Sequence, residues 1–218
     1  GCYSKISDDA IGRWVINEFK QAKVPTDFLF IDKEVKTDLS AIIVLTQNGE
    51  RVIFHNRDAN EKLEIIDEKF ANTGWVFISA LNGNWGKNLR KLLVLKEKYG
   101  FKIALNPGQH NIKEDASLMF QAIRQSDVLL LNKDEAIELV LGTQKEISRE
   151  DLDNEIFLLQ TLKNSGAKII GMTDGTRGAW SFDGKEYWHC PIHTLSKVVD
   201  NTGAGDAFGS GFLSAILE

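Results

Sequence analysis

Apolar residues along this chain follow two rhythms. Four short runs, WVFISA (75–80), FKIALN (101–106), DVLLLN (127–132) and KIIGMT (168–173), are almost continuously apolar and are bounded by polar or turn residues. Runs of that length and composition predict buried strands. Between them the apolar spacing widens to three and four, which predicts helices over 88–98, 114–124, 133–141 and 151–163. Strands alternating with amphipathic helices predict an α/β domain, a predominantly parallel sheet with helices on both faces. Upstream, SDDAIGRWVINEFKQAK carries Ile11, Val15 and Phe19 at helical spacing behind Ser7 or Asp8 as N-cap, and FLFI (28–31) reads as a short strand. Two segments break the alternation. SAIIVLTQNGERVIFH folds back at Asn48-Gly49, and GAWSFDGKEYWHCPI at Asp183-Gly184, so both predict hairpins. The first is read as a small β lid over 37–58 projecting from a core of 1–36 and 59–218. An antiparallel edge hairpin of the main sheet is the other arrangement its pattern allows.

The last helical pattern, VVDNTGAGDAFGSGFLSAILE, raises a chemical question. Phe208, Phe212 and Ile216 share a face, and the helix opens on Gly203-Ala204-Gly205-Asp206. Small residues at a helix start let a ligand approach free N–H groups, which with the helix dipole make an anion hole. A carboxylate beside such a hole repels the anion unless a proton must leave as negative charge arrives. Phosphoryl transfer to a hydroxyl has that requirement: Asp206 is the candidate base, and the backbone of Gly203, Ala204 and Gly205 the candidate oxygen cradle. The alternative is an acid that merely caps a helix. A dinucleotide fingerprint fails, because Phe208 stands where its third glycine belongs. In parallel α/β sheets ligands sit beyond the carboxyl ends of the strands. The other strand ends are also polar or glycine-rich: Asn106-Pro107-Gly108, Asn132 to Glu135, and Thr173 to Gly178. Asn132 and Glu135 also have the spacing of an N-cap and its capping-box partner.

These residues carry a resemblance. VVDNTGAGDAFGSGFL resembles the C-terminal signature of the ribokinase (PfkB) family of sugar and nucleoside kinases, LLLNKDEAIEL its N-x-x-E motif, and GMTDGTRGAW its T-x-G-x-x-G segment. LNPG resembles its N-P strand end and TQNGERVIFHNRDAN its lid hairpin and following turn. The resemblance implies ATP-dependent phosphorylation of a sugar hydroxyl with Mg2+, Asp206 being the base. It implies that Asn132 and Glu135 act on the Mg2+–phosphate assembly through water. Thr173, Gly175 and Gly178 would line the nucleotide, and Asn106 the acceptor side. Asp200 and Thr202 match positions that hold a monovalent cation such as K+. It also implies a homodimer through the lid, whose strands around Ser40 to Phe54 are apolar on both faces. Family members extend further at both ends, with an early sugar-contacting Asp and a G-G-N segment that nothing here matches. The chain is therefore expected to be a partial kinase, cut at both ends. A nucleoside kinase and a non-catalytic binding or dimerising remnant are the alternatives.

Composition narrows the partners. A net charge of −5 argues against nucleic acid or an anionic membrane surface. Cys2 and Cys190 make no framework and no metal spacing, and no apolar run has transmembrane length, so a reduced, cytoplasmic protein acting on a small molecule is expected.

Overall fold

The structure is a computed structural model and describes residues 1–44, 51–143, 146–193 and 202–218. The described chain falls into two compact units, Gly1–Ala71 with Leu81–Asn88, and Asn72–Ala80 with Leu89–Glu218. The expected boundaries at 36/37 and 58/59 delimit a two-stranded sheet rather than either unit.

In the first unit, β1 (Ser4–Ile6), α1 (Ala10–Gln21) and β2 (Leu29–Ile31) form a parallel pair with its crossover helix. The N-cap of α1 is Asp9, not Ser7 or Asp8. Its carboxylate accepts from Gly12 N at 2.7 Å and also from Thr37 N and Oγ1, so one side chain caps the helix and anchors the segment before the hairpin. β3 (Leu39–Val44) and β4 (Arg51–Asn56) pair antiparallel as a sheet of their own, not as an edge of the main sheet. The expected turn at Asn48-Gly49 lies outside the described residues. A short α2 (Asp58–Glu61) follows, and Asp38 caps it through Ala59 N. Tyr3 packs on Phe30 and Phe70 while its hydroxyl donates to Glu64 O and accepts from Ile66 N.

The second unit is built on β5 (Trp75–Ile78), β6 (Lys102–Leu105), β7 (Val128–Asn132), β8 (Ile169–Thr173), β9 (Ala179–Phe182) and β10 (Tyr187–Cys190), hydrogen-bonded in that order. The first four are parallel; β9 and β10 are antiparallel additions, as the Asp183-Gly184 hairpin requires. The connecting helices are α3 (Trp85–Tyr99, begun in the first unit), α4 (Gln109–Glu114), α5 (Ala116–Gln125), α6 (Lys133–Leu141), α7 (Arg149–Asp153) and α8 (Glu155–Asn164). The helix read over 151–163 is split into α7 and α8, and the one read over 114–124 is α5, preceded by the separate short α4. Asp115 and Asn154 stop one helix and cap the next through their own side chains, outcompeting continuation of the coil.

Because the parallel strands follow one another in chain order, right-handed crossovers put all of their helices on one face. Leu129, Leu131, Ile170 and Met172 point to that face and are essentially buried. The other face is covered by α9 (Ala204–Leu217): Phe208, Phe212, Leu213 and Ile216 pack on Ala104, Val128 and Leu130. Gly171 permits this approach, since a Cβ there would lie 3.3 Å from the Phe212 ring. Helices on both faces of a mostly parallel sheet are thus found as expected.

At the opposite sheet end, Asp127 gathers Lys96 Nζ, Lys168 Nζ at 2.8 Å and Ile103 N at 2.9 Å. Burial alone would raise this carboxyl, but the two lysines and the amide override it and bring its pKa down to about 2. Stability from Asp127 is therefore complete above its ordinary value near 3.8 and is lost as pH falls toward about 2. Asp127→Asn should cost about 1–2 kcal/mol at neutral pH, allowing for solvent screening. In thermal melts the gap between the two proteins should close on acidification from about pH 5 to about pH 2. A gap independent of pH would refute this assignment.

Candidate active site

Four strand or helix ends meet around one cavity of about 380 Å³. Asn106, Asn132, Glu135, Thr173, Gly205 and Asp206 line it, with Phe77, Leu130, Phe208 and Leu213 on its apolar side. All of these belong to the second unit. Six expected site residues, scattered over a hundred positions of sequence, therefore share one space. Gly203, Ala204, Gly175 and Gly178 are not in its wall.

Each polar group is placed by a local cause. Asn106 follows β6, and its Nδ2 donates to Leu130 O at 2.9 Å, bridging to the next strand. Asn132 ends β7 and caps α6: its Oδ1 accepts from Glu135 N at 2.9 Å, while Glu135 Oε2 accepts from Asn132 N at 3.0 Å. The capping box anticipated as an alternative is thus present, and it fixes both side chains against the cavity wall. Glu135 is 8% exposed, and burial pushes its carboxyl above the ordinary range, against the pull of the Asn132 amide. No ion pair to Glu135 occurs among the described residues. Thr173 ends β8 directly opposite Asn132 in the ladder.

The start of α9 has the anticipated form. Its N-cap is Gly203 at φ 81°, a left-handed conformation suited to glycine, and no side chain caps the helix. Asp206 stands exposed in the first turn, so simple N-capping does not account for it. Ser210, one turn further, donates to Asp206 O at 2.8 Å and lines the same cavity; its i+4 spacing from Asp206 was the available signal for it. Of the expected cation pair, Thr202 is described and exposed, whereas Asp200 lies outside the described residues. Gly178 closes the turn after β8 at φ 92°, where a Cβ would lie 2.2 Å from Cys190 O. The charged cluster of Lys133, Asp153, Glu155, Asp174 and Arg177 beside this turn has no sequence signature, because its members come from three separate segments.

The sequence model of the pfkB family carbohydrate kinases matches residues 2–218. The chain belongs to this family. It is similar to an ATP-dependent 6-phosphofructokinase of Thermoanaerobacterium thermosaccharolyticum, 24% identical over 99% of this chain and 66% of that protein. It is similar to a ribokinase of Staphylococcus aureus, 23% identical over 98% of this chain and 67% of the relative. An E. coli protein provisionally called ribokinase II, solved in complex with ATP and Mg2+, has the same fold at a TM-score of 0.76 and 17% identity, covering 98% of this chain and 68% of that one. The pfkB-family chain described here spans about two thirds of the length of these relatives. Among the described residues no helix is long and apolar enough to cross a membrane.

Proposed function

We propose that this pfkB-family chain transfers the terminal phosphoryl group of ATP to a hydroxyl of a sugar in the cytoplasm. The observation that carries the reading is the shared cavity lined by the exposed carboxylate of Asp206 in a helix's first turn, by Gly205 beside it and by the buried carboxylate of Glu135. Asp206 orients the acceptor hydroxyl and accepts its proton as the oxygen bonds to phosphorus. The Gly203–Gly205 backbone donates to the phosphoryl oxygens, where fixed dipoles cost no reorganisation. Thr173, Gly175 and Gly178 face the nucleotide, and Asn106 the acceptor. Glu135 fits a hydrated divalent cation, being a buried carboxylate with no cationic partner among the described residues, and Asn132 and Glu135 would hold Mg2+ through water. When bound, that ion neutralises phosphate charge. ADP release by the purified chain with Mg2+ and ATP, over a panel of sugars and nucleosides, tests the reading. Turnover with sugars supports it, and turnover with nucleosides alone reassigns the acceptor. No turnover with any of them makes the chain a non-catalytic binder.

Glu135→Gln separates the metal role from the capping role. Glutamine keeps an acceptor for the Asn132 amide and removes the buried charge. The metal-free protein should melt no lower than the parent, while the Mg2+ concentration for half-maximal activity rises about tenfold. An unchanged Mg2+ titration with a lower melting temperature would leave Glu135 as a cap alone.

The lid hairpin is the proposed dimer interface. Leu39, Ile43, Val52 and Phe54 share one face and are 55–59% exposed; Ile42, Val44 and Ile53 share the other and are 37–40% exposed. Two strands cannot cover two apolar faces, and a second copy of the hairpin supplies a matching apolar surface.

A further inference from the structure

Lys133 occupies an unfavourable place. It is the first residue of α6, where the helix dipole repels a cation, and its side chain is 7% exposed. Three carboxylates compensate. Nζ donates to Glu155 Oε1 at 2.8 Å, to Asp153 Oδ1 at 3.0 Å and to Asp153 O at 2.8 Å, and it lies 3.5 Å from Asp174 Oδ2. Arg177 closes the cluster from the other side: Nε is 2.8 Å from Asp174 Oδ2, and Nη1 is 3.1 Å from Asp153 Oδ1 and 3.4 Å from Glu155 Oε1.

The five groups join three pieces of chain: the start of α6, the α7–α8 junction and the 3-10 turn Gly175–Arg177 after β8. The β7–β8 ladder ends at Asn132 opposite Thr173. Lys133 and Asp174 are the next residues on each strand, so their ion pair prolongs the register past its last backbone rung. The helices do not depend on the cluster for their places, since Ala136, Leu139, Leu158 and Leu159 are wholly buried. The turn has no buried residue. It is held by Asp174 N donating to Gly178 O at 2.8 Å, by Arg177 N donating to Asp174 O at 2.9 Å, by Gly178 N donating to Gly175 O at 3.3 Å, by His189 Nε2 lying 2.8 Å from Arg177 O, and by this cluster.

We propose that Lys133 and Arg177 are positioning residues, an ionic clamp that fixes the 174–178 turn and with it the nucleotide contact proposed for Gly175 and Gly178. The ligand part rests on the nucleotide reading above; the clamp itself does not. Exposed ion pairs do little, but the side chains of Lys133, Glu155 and Asp174 are 7%, 15% and 13% exposed. Removing one partner there leaves charge buried without compensation, and the turn is the piece able to move.

Hydrogen exchange read by mass spectrometry on a peptide spanning 173–178, with calorimetric titration of MgATP, tests this. In Lys133→Met the bonded amides of Asp174, Arg177 and Gly178 should exchange about tenfold faster, those of α6 and α8 should be unchanged, and the MgATP Kd should rise about tenfold. Lys133→Arg should restore both. Arg177→Gln, at a half-exposed side chain, should act in the same direction more weakly and serves if Lys133→Met does not fold. Unchanged exchange in the turn overturns the clamp. Faster exchange with unaltered MgATP affinity overturns its role in holding the nucleotide contact. Faster exchange when the parent protein binds no MgATP leaves the clamp standing and refutes the nucleotide reading.

Discussion

Asp206→Asn is expected to lower turnover by about 10²–10⁴-fold, the usual cost of losing a general base, while MgATP affinity holds or improves. Asparagine keeps the shape of the first turn of α9 and removes the proton acceptor. It also removes a negative charge beside the site where phosphate oxygens would lie, so ground-state binding of the nucleotide should not suffer. The capping role cannot produce this pattern: Gly203 is the N-cap and no side chain caps the helix. Steady-state kinetics with calorimetric nucleotide titration decides the matter. Turnover within a fewfold of the parent would remove Asp206 from the chemistry.

Ile43→Asp should separate the proposed dimer, weakening association by roughly 10²–10³-fold, the effect expected for an unpaired charge buried at an interface. Ile43 pairs with Val52 in the hairpin ladder, on the face that also carries Leu39 and Phe54. The isolated protomer tolerates an aspartate there, because Ile43 is 57% exposed and a solvated carboxylate costs little. Folding and association are thereby separable: the variant should melt near the parent temperature at low concentration and sediment as a monomer at concentrations where the parent is dimeric. A parent chain that sediments as a monomer at micromolar concentration would refute the lid interface.

What the sequence revealed depended on how local the cause was. The strand runs of β6, β7 and β8 were plain because each is buried on two faces and needs a continuous apolar stretch. The cradle of α9 was plain because small residues at a helix start have few structural uses. The capping of α1 by Asp9 rather than Ser7 or Asp8 was not, since three adjacent residues could all cap. The deciding partner, Thr37, is distant in sequence. The break at Asn154 was missed because apolar spacing continues across it, while a side-chain hydrogen bond interrupts the backbone. The Lys133 cluster was invisible for a different reason: charges at 133, 153, 155, 174 and 177 read as ordinary solvated residues until the ladder between β7 and β8 brings them together.

The arrangement of the sheet sets an order of assembly. Residues on one face of β5 to β8 meet helices that lie between those strands in the chain, so that half of the core can close as each crossover leaves the ribosome. Ala104, Val128 and Leu130 on the other face wait for α9, far downstream. Long-range closure of this kind slows folding. Until it occurs a nascent chain has the strand-end loops but not Asp206 in place against them, so the proposed phosphoryl transfer would wait until the last described helix has docked.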